Sequence, residues 1–366
     1  MAKKILFSFE VTAGMVLAED LYNPSGQLVL PKGFVLDDAT IAKLEYYTIL
    51  EVPVDDSITP ENTVTSSPNR DDSSSNEYSA KIKNSPEFKK FRADYEACTV
   101  YLNELFSDIV LKGKLIDSET LLSNIKHTIG SGKNTIQMFD YIHNLRESDN
   151  IITSHSINVA IIATILGKWL ELTEAELDTL MLAAILHDIG KYTIPKDILY
   201  KPGKLTDEEF QITKEHVKKG YDILRNQPVD IRIKEACLLH HERCDGSGYP
   251  FNAAAARITP FAKIIAIADV YDAMTASRSY RGALCPFDVI QMFDEEGLHK
   301  YDPHYIMTFL NRISNTYLHN NVRLNDGRMG EIIMINQLCL YRPVVKIGDE
   351  FIDLMKNSAL KIEAIV

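Results

Sequence analysis

Hydrophobic positions fall into distinct regimes along the chain. Over residues 1–55 they come in short runs punctuated by Gly14, Pro24-Ser25-Gly26 and Pro31-Lys32-Gly33, with a helical stretch at 38–47, which predicts a small α/β module. Residues 56–85 give way to Ser, Thr, Asn, Asp and Pro, with too few apolar side chains to offset the entropy of ordering, and predict a flexible linker. After Pro86 the period turns helical: Phe88, Phe91, Tyr95, Cys98, Leu102, Leu105 and Ile109 alternate spacings of three and four along a connecting helix over 86–117. Such a stripe suits a helix packed on the following bundle, and equally the seam of a homodimeric coiled coil through 86–112. Residues 118–318 read as successive amphipathic helices with capping boxes at Thr173/Glu176 and Thr206/Glu209. From 319 to 366 the pattern shortens to strand-like runs at 331–335, 344–347 and 361–366, separated by turns at Asn325-Asp326-Gly327 and Gly348-Asp349. The fold class is therefore mainly α, with a small α/β module before the helical bundle and a β-rich extension after it.

Composition narrows the function. At 366 residues, 45% hydrophobic and 25% charged, the chain can bury a full core as a globular protein. A formal net charge of -12 argues against duplex nucleic acid as a partner, so an anionic ligand needs a local cluster of cations. The 5 cysteines contain no closely spaced pair, which disfavours a disulfide framework or a thiolate zinc site and makes the cytoplasm the expected location. The apolar stretch after Lys3-Lys4 is too short for a signal sequence, and no run is long enough to span a membrane.

The chemistry gathers in the helical region. His155, His187, Asp188, His216, His240, His241 and Asp269 each fall on or beside the apolar face of a helix, so the helices would converge them on one place. A lone buried histidine is usually a hydrogen-bonded core residue. The adjacent pairs His187-Asp188 and His240-His241 are harder to explain that way, because one member of each must point away from the main apolar stripe, which is costly unless a cation compensates. Five imidazoles and two carboxylates exceed one open site and suggest two divalent metal ions sharing Asp188. This donor set favours iron or manganese, with zinc as the alternative, over calcium or magnesium. Asp245-Gly246-Ser247-Gly248-Tyr249-Pro250 reads as turn chemistry or, following the histidine pair, as a pocket wall with glycines admitting a ligand and Asp245 orienting it or Arg243. Asp272, one turn past Asp269, is either a support for a ligand or a solvated carboxylate.

These residues resemble a known family. HDIGK (187–191), His216 ahead of Gly220, HHERCDGSGYP (240–250) and IIAIADVYDAMTASRSYR (264–281) match, in order, the motifs of HD-GYP phosphodiesterases, over roughly residues 143–310. The resemblance implies a helical HD-GYP bundle with a dinuclear site, His155, His187, Asp188 and Asp269 holding one metal and Asp188, His216, His240 and His241 the other. A third metal in some members uses a glutamate whose place here is Ile151. It further implies Lys191 and Asp188 as catalytic residues, Lys191 at the scissile phosphate, and Arg278, Arg281, Asp245, Gly248 and Tyr249 around the substrate. The implied activity is hydrolysis of cyclic di-GMP to pGpG, and in a second turnover to GMP, by in-line attack of a hydroxide bridging the metals. Residues 251–257 depart from the family pattern. That departure keeps open a slow cyclic-dinucleotide receptor or scaffold, or an HD hydrolase acting on another cyclic dinucleotide or nucleotide.

Overall fold

The computed structural model of the chain describes residues 3–7, 11–22, 28–36, 40, 41, 44, 51–55, 82–130, 135–145, 151–201, 205–276 and 284–366. In the amino-terminal part, β1 (Lys3–Phe7) pairs antiparallel with β4 (Glu51–Asp55), and β2 (Leu21–Tyr22) with β3 (Leu28–Leu30). Leu6, Leu17, Leu36, Leu44, Val52 and Val54 close a small core of their own. Within the helix expected at 38–47, Thr40, Ile41 and Leu44 are helical, and the remaining positions lie outside the described residues, as do 56–81 of the expected linker. The end of that linker differs from expectation. Residues 82–84 are helical, Ile82 packs on the main core, and the Ser85 hydroxyl accepts the Phe88 N–H at 3.2 Å to cap the next helix.

That helix, α1 (Pro86–Lys112), begins on a proline and stops before residue 117 because Gly113 adopts a left-handed conformation, φ 65°, that returns its N–H to the last turn. Its whole stripe from Phe88 to Ile109 is buried in the same core as the bundle helices. The alternative reading of this stripe as a dimer seam is thereby corrected: the apolar face is covered by the chain's own helices.

The bundle continues through α2 (Ser118–Gly130), α3 (Thr135–Asn144), α4 (Ile151–Trp169) and α5 (Glu174–Leu186), then a 3-10 turn (Ile189–Thr193) and the short α6 (Lys196–Leu199). After these come α7 (Asp207–Lys214), α8 (His216–Leu224), α9 (Ile231–Leu239), α10 (Pro260–Thr275), α11 (Pro286–Lys300) and α12 (Pro303–Thr316). Both capping boxes close as expected, at Thr173/Glu176 and Thr206/Glu209. The centre of the bundle is α4, packed between α5 and α10 and apolar nearly all round, as a helix enclosed by others must be. Among the described residues no helix is long and apolar enough to cross a membrane.

The chain ends in a five-stranded antiparallel sheet of β5 (Asn321–Leu324), β6 (Met329–Met334), β7 (Val344–Ile347), β8 (Glu350–Asp353) and β9 (Ile362–Ile365). Its order is β8-β7-β6-β5-β9, a meander whose last strand returns to the edge beside the first. Gly327 and Gly348, at φ 87° and 59°, make the tight turns at the two expected places. Val322, Leu324, Ile332 and Val345 join the core of the helices, so one face of the sheet is packed on the bundle.

Candidate metal centre

Three helix ends and two helix faces meet at one point. His155 projects from the first turns of α4, and Asp269 and Asp272, three apart on α10, face it together. Asp272 Oδ2 lies 2.7 Å from His155 Nδ1, and Asp269 Oδ1 lies 3.0 Å from His155 Nε2. With 2% of its surface exposed, Asp272 is a support for His155, not a solvated carboxylate.

His187 and Asp188 follow the last residue of α5. The chain leaves helical geometry at Asp188, φ -104° and ψ 12°, and this break lets two adjacent side chains turn to the same side. Asp188 occupies the centre: Oδ2 is 3.2 Å from His187 Nε2 and 3.7 Å from His155 Nε2, while Oδ1 is 3.2 Å from His216 Nε2 and 3.7 Å from His240 Nε2. The Lys191 ammonium, from the following 3-10 turn, rests on Asp188 Oδ2.

The apolar phase of Phe210, Thr213, Val217 and Leu224 runs on through His216, yet the structure has two helices there, parted at Glu215. The Thr213 carbonyl accepts the His216 imidazole N–H at 2.7 Å, and His216 opens α8. Two glycines bring that helix to the His187-Asp188 turn. Gly190, two residues after Asp188, lies against the His216 backbone and Gly220, and Gly220 lies against the Cys237 sulfur on α9. His240 then caps α9, and His241 follows with its ring centroid 5.1 Å from that of His216.

The donor chemistry can be tested against a metal directly. The Nδ1–H of His187 is bound to the Ala184 carbonyl at 2.7 Å and that of His240 to the Cys237 carbonyl at 3.0 Å, as His216 is to Thr213. Each of these rings is thereby fixed in the tautomer with a bare Nε2. The three Nε2 atoms and Asp188 Oδ1 are buried, converge, and have no hydrogen-bond partner among the described residues. Burial, then the neighbouring imidazoles, pushes His240 and His241 well below the usual histidine range, leaving neutral lone pairs. Burial opposes charge on Asp188 and Asp269. The imidazoles around both, with Lys191 beside Asp188, outweigh it and hold each carboxyl well below its ordinary value. Burial likewise opposes charge on His155, but its bonds to Asp269 and Asp272 outweigh that and raise it to about 9. The potential there calls for positive charge, which a proton or a divalent cation satisfies. Two sets of atoms lie within 4.8 Å of one another: Asp188, His216, His240 and His241; and His155, His187 and Asp188. Both could hold a metal ion, and Asp188 belongs to both. Asp269 approaches the pair from His155 and, at 3.7 Å, from His241.

The loop after the histidine pair places Gly248 and Asp245 in contacts of its own. Gly248 is buried, and a Cβ there would stand 2.4 Å from Arg243 N, Glu242 Cα and the His241 carbonyl oxygen. Its lack of a side chain lets the loop pack on the His240-His241 turn. Asp245 is exposed and its Oδ1 accepts from both the N–H and the hydroxyl of Ser247, within its own turn. Tyr249 does line the cluster: its ring stacks on His241 with centroids 4.6 Å apart. Arg278 and Arg281 lie outside the described residues.

Two participants carry no clear sign in the sequence. Glu242, 2% exposed, accepts the N–H of Phe251 at 2.6 Å and of Ala253 at 2.8 Å, tying the divergent rim to the residue beside His241. Lys214 places its ammonium 5.5 Å from the centroid of Tyr249. Only the spacing of four between Phe210 and Lys214 hinted that the two share a helix face.

Comparison with known proteins gives this site a context. The HD domain family model matches residues 140–305. Over 204 residues the chain is 36% identical to a cyclic di-GMP phosphodiesterase of Pseudomonas aeruginosa, covering 56% of this chain and 49% of that one. Over 130 residues it is 42% identical to a 3′3′-cGAMP-specific phosphodiesterase of Vibrio cholerae, covering 35% of this chain and 25% of that one. The chain thus spans half or less of the length of these relatives. An HDG"Y"P protein from Bdellovibrio bacteriovorus superposes with a TM-score of 0.52 at 14% identity, over 85% of this chain and 99% of that chain, a likeness of fold alone. Residues 140–305, which match the HD domain family model, carry the whole imidazole and carboxylate cluster.

Proposed function

We propose that the chain is a metal-dependent phosphodiesterase of cyclic dinucleotides, with cyclic di-GMP as substrate and pGpG as first product. The observation that carries this is the set of buried, unpartnered imidazole nitrogens around Asp188, found in a chain whose similar proteins are named as cyclic-dinucleotide phosphodiesterases. His155, His187, Asp188 and Asp269 would hold one divalent ion, and Asp188, His216, His240 and His241 a second, iron or manganese in preference to zinc. Bound there, such ions supply charge neutralisation at phosphate and a water acidic enough to attack near neutral pH. The chain's own residues do the rest. Asp188 sets the separation of the two halves, and Asp272 fixes the His155 ring. Lys191, resting on Asp188, is placed to neutralise the scissile phosphate and to give a proton to the leaving 3′-oxygen. Arg278 and Arg281 are the proposed contacts to the remaining phosphate charge. The division into a module at 1–55, a linker, a connecting helix, a catalytic domain at 118–318 and an extension at 319–366 belongs to the same proposal, with the first module as the input.

The test is direct. Protein loaded anaerobically with iron or manganese and mixed with cyclic di-GMP should yield pGpG, followed by chromatography, and an Asp188→Ala control should not. A fully loaded protein that makes no more product than the control would sink the enzyme reading in favour of a receptor. A second substrate, 3′3′-cGAMP, belongs in the same assay, because the rim at 251–257 departs from the family pattern.

A further inference from the structure

We propose that Lys214 anchors the second phosphate of the cyclic dinucleotide, the one that is not cleaved; this rests on the function proposed above. Lys214 ends α7, two residues before His216. Its ammonium lies 4.5 Å from the centroid of the Phe210 ring and 5.5 Å from that of Tyr249. Tyr249 is the residue that stacks on His241, and its ring centroid is 6.4 Å from that of His216. The cation is therefore one ring removed from the imidazole cluster, on the wall the GYP loop builds.

Its electrostatic situation sets it apart. Lys191, Lys201 and Lys263 are each paired with a carboxylate: Asp188, Glu209 and Asp302. Among the described residues Lys214 has aromatic faces as partners and no carboxylate within ion-pair distance. A ring face holds an ammonium through its quadrupole without neutralising it. In a chain with a formal net charge of -12, a half-buried, un-neutralised cation beside the site is a place for an anion. The substrate carries two phosphodiesters on one macrocycle. When one stands at Asp188 and Lys191, the other must lie to the side, where it needs a cation of its own.

The experiment compares Lys214→Gln and Lys214→Arg with the parent on two substrates: cyclic di-GMP, with two phosphates, and bis(4-nitrophenyl) phosphate, with one. Metal content and thermal stability are measured on each variant. Removing one charge-assisted contact should raise KM for cyclic di-GMP by about tenfold or more while kcat moves much less. The loss in kcat/KM should be at least about tenfold greater for cyclic di-GMP than for the small diester, and Lys214→Arg should recover most of it. Equal losses on both substrates, or an unchanged KM for cyclic di-GMP, would overturn the assignment. If the parent cleaves the small diester but not cyclic di-GMP, the proposed function falls, and the anchor with it.

Discussion

Gly190 and His216 are in backbone contact: a Cβ built on Gly190 would stand 1.9 Å from the His216 carbonyl oxygen and 2.6 Å from the Gly220 nitrogen. Because the obstacle is main chain, a methyl group there can be accommodated only by moving α8, and His216 with it. Gly190→Ala should lower stability by about 2 kcal/mol or more and weaken metal binding, checked by denaturant titration and by metal content after dialysis. A variant with unchanged stability and full metal content would show that the crossing is looser than described.

Asp272 acts on the far side of the His155 ring from Asp269. Asp272→Asn keeps the volume but weakens the hold on the tautomer and orientation of the ring. Affinity for manganese should fall about 10- to 100-fold, as measured by competition with a chelating dye. Asp269→Asn should cost more, since Asp269 faces Nε2, on the side of the other ligands.

Burial raises the thiols of Cys98, Cys237 and Cys285, to about 11 for Cys98 and about 12 for Cys285. A thiol whose folded pKa exceeds its unfolded value contributes stability that is intact below the unfolded pKa of 9.0 and declines as pH rises toward the folded one. Stability should therefore slope downward above pH 9 for each of these thiols, and substituting Cys98 by Ser should flatten part of the slope between 9 and about 11. In native protein at pH 8, a thiol reagent should react rapidly only with the half-buried Cys244 and Cys339, and with all 5 after unfolding.

Leu102 on α1 is fully buried. If its stripe belongs to the chain's own core, Leu102→Ala should cost about 2–5 kcal/mol in unfolding, with no change in sedimentation behaviour. A shift in oligomeric state without that loss would restore the coiled-coil reading.

The helices were legible from the sequence because burial on one face writes a period of 3.6 residues into it, and the five histidines and two aspartates stood out because they fall on or beside that face and include two adjacent pairs. Where the backbone leaves the helix, the pattern loses its hold. The break at Glu215 was hidden because His216 continues the apolar phase of Phe210 and Val217, and nothing local marks an imidazole that takes a carbonyl from the helix. Gly248 shows a related limit: a glycine needed for chain-on-chain contact has the same letter as one needed for a ligand. The heptad stripe of α1 illustrates the same limit, since an apolar seam does not say whose surface will cover it.

Glu242 grips the rim by two main-chain N–H groups, those of Phe251 and Ala253, and not by any side chain there. A clamp of that kind is indifferent to which residues it holds, proline excepted. The exposed rim positions, Phe251, Asn252 and Ala254, can therefore change without loosening the His240-His241 turn behind them, while Ala253, packed with Ile258 and Ala262, must stay small. Those exposed positions are free to change one at a time while the histidine turn beneath stays anchored.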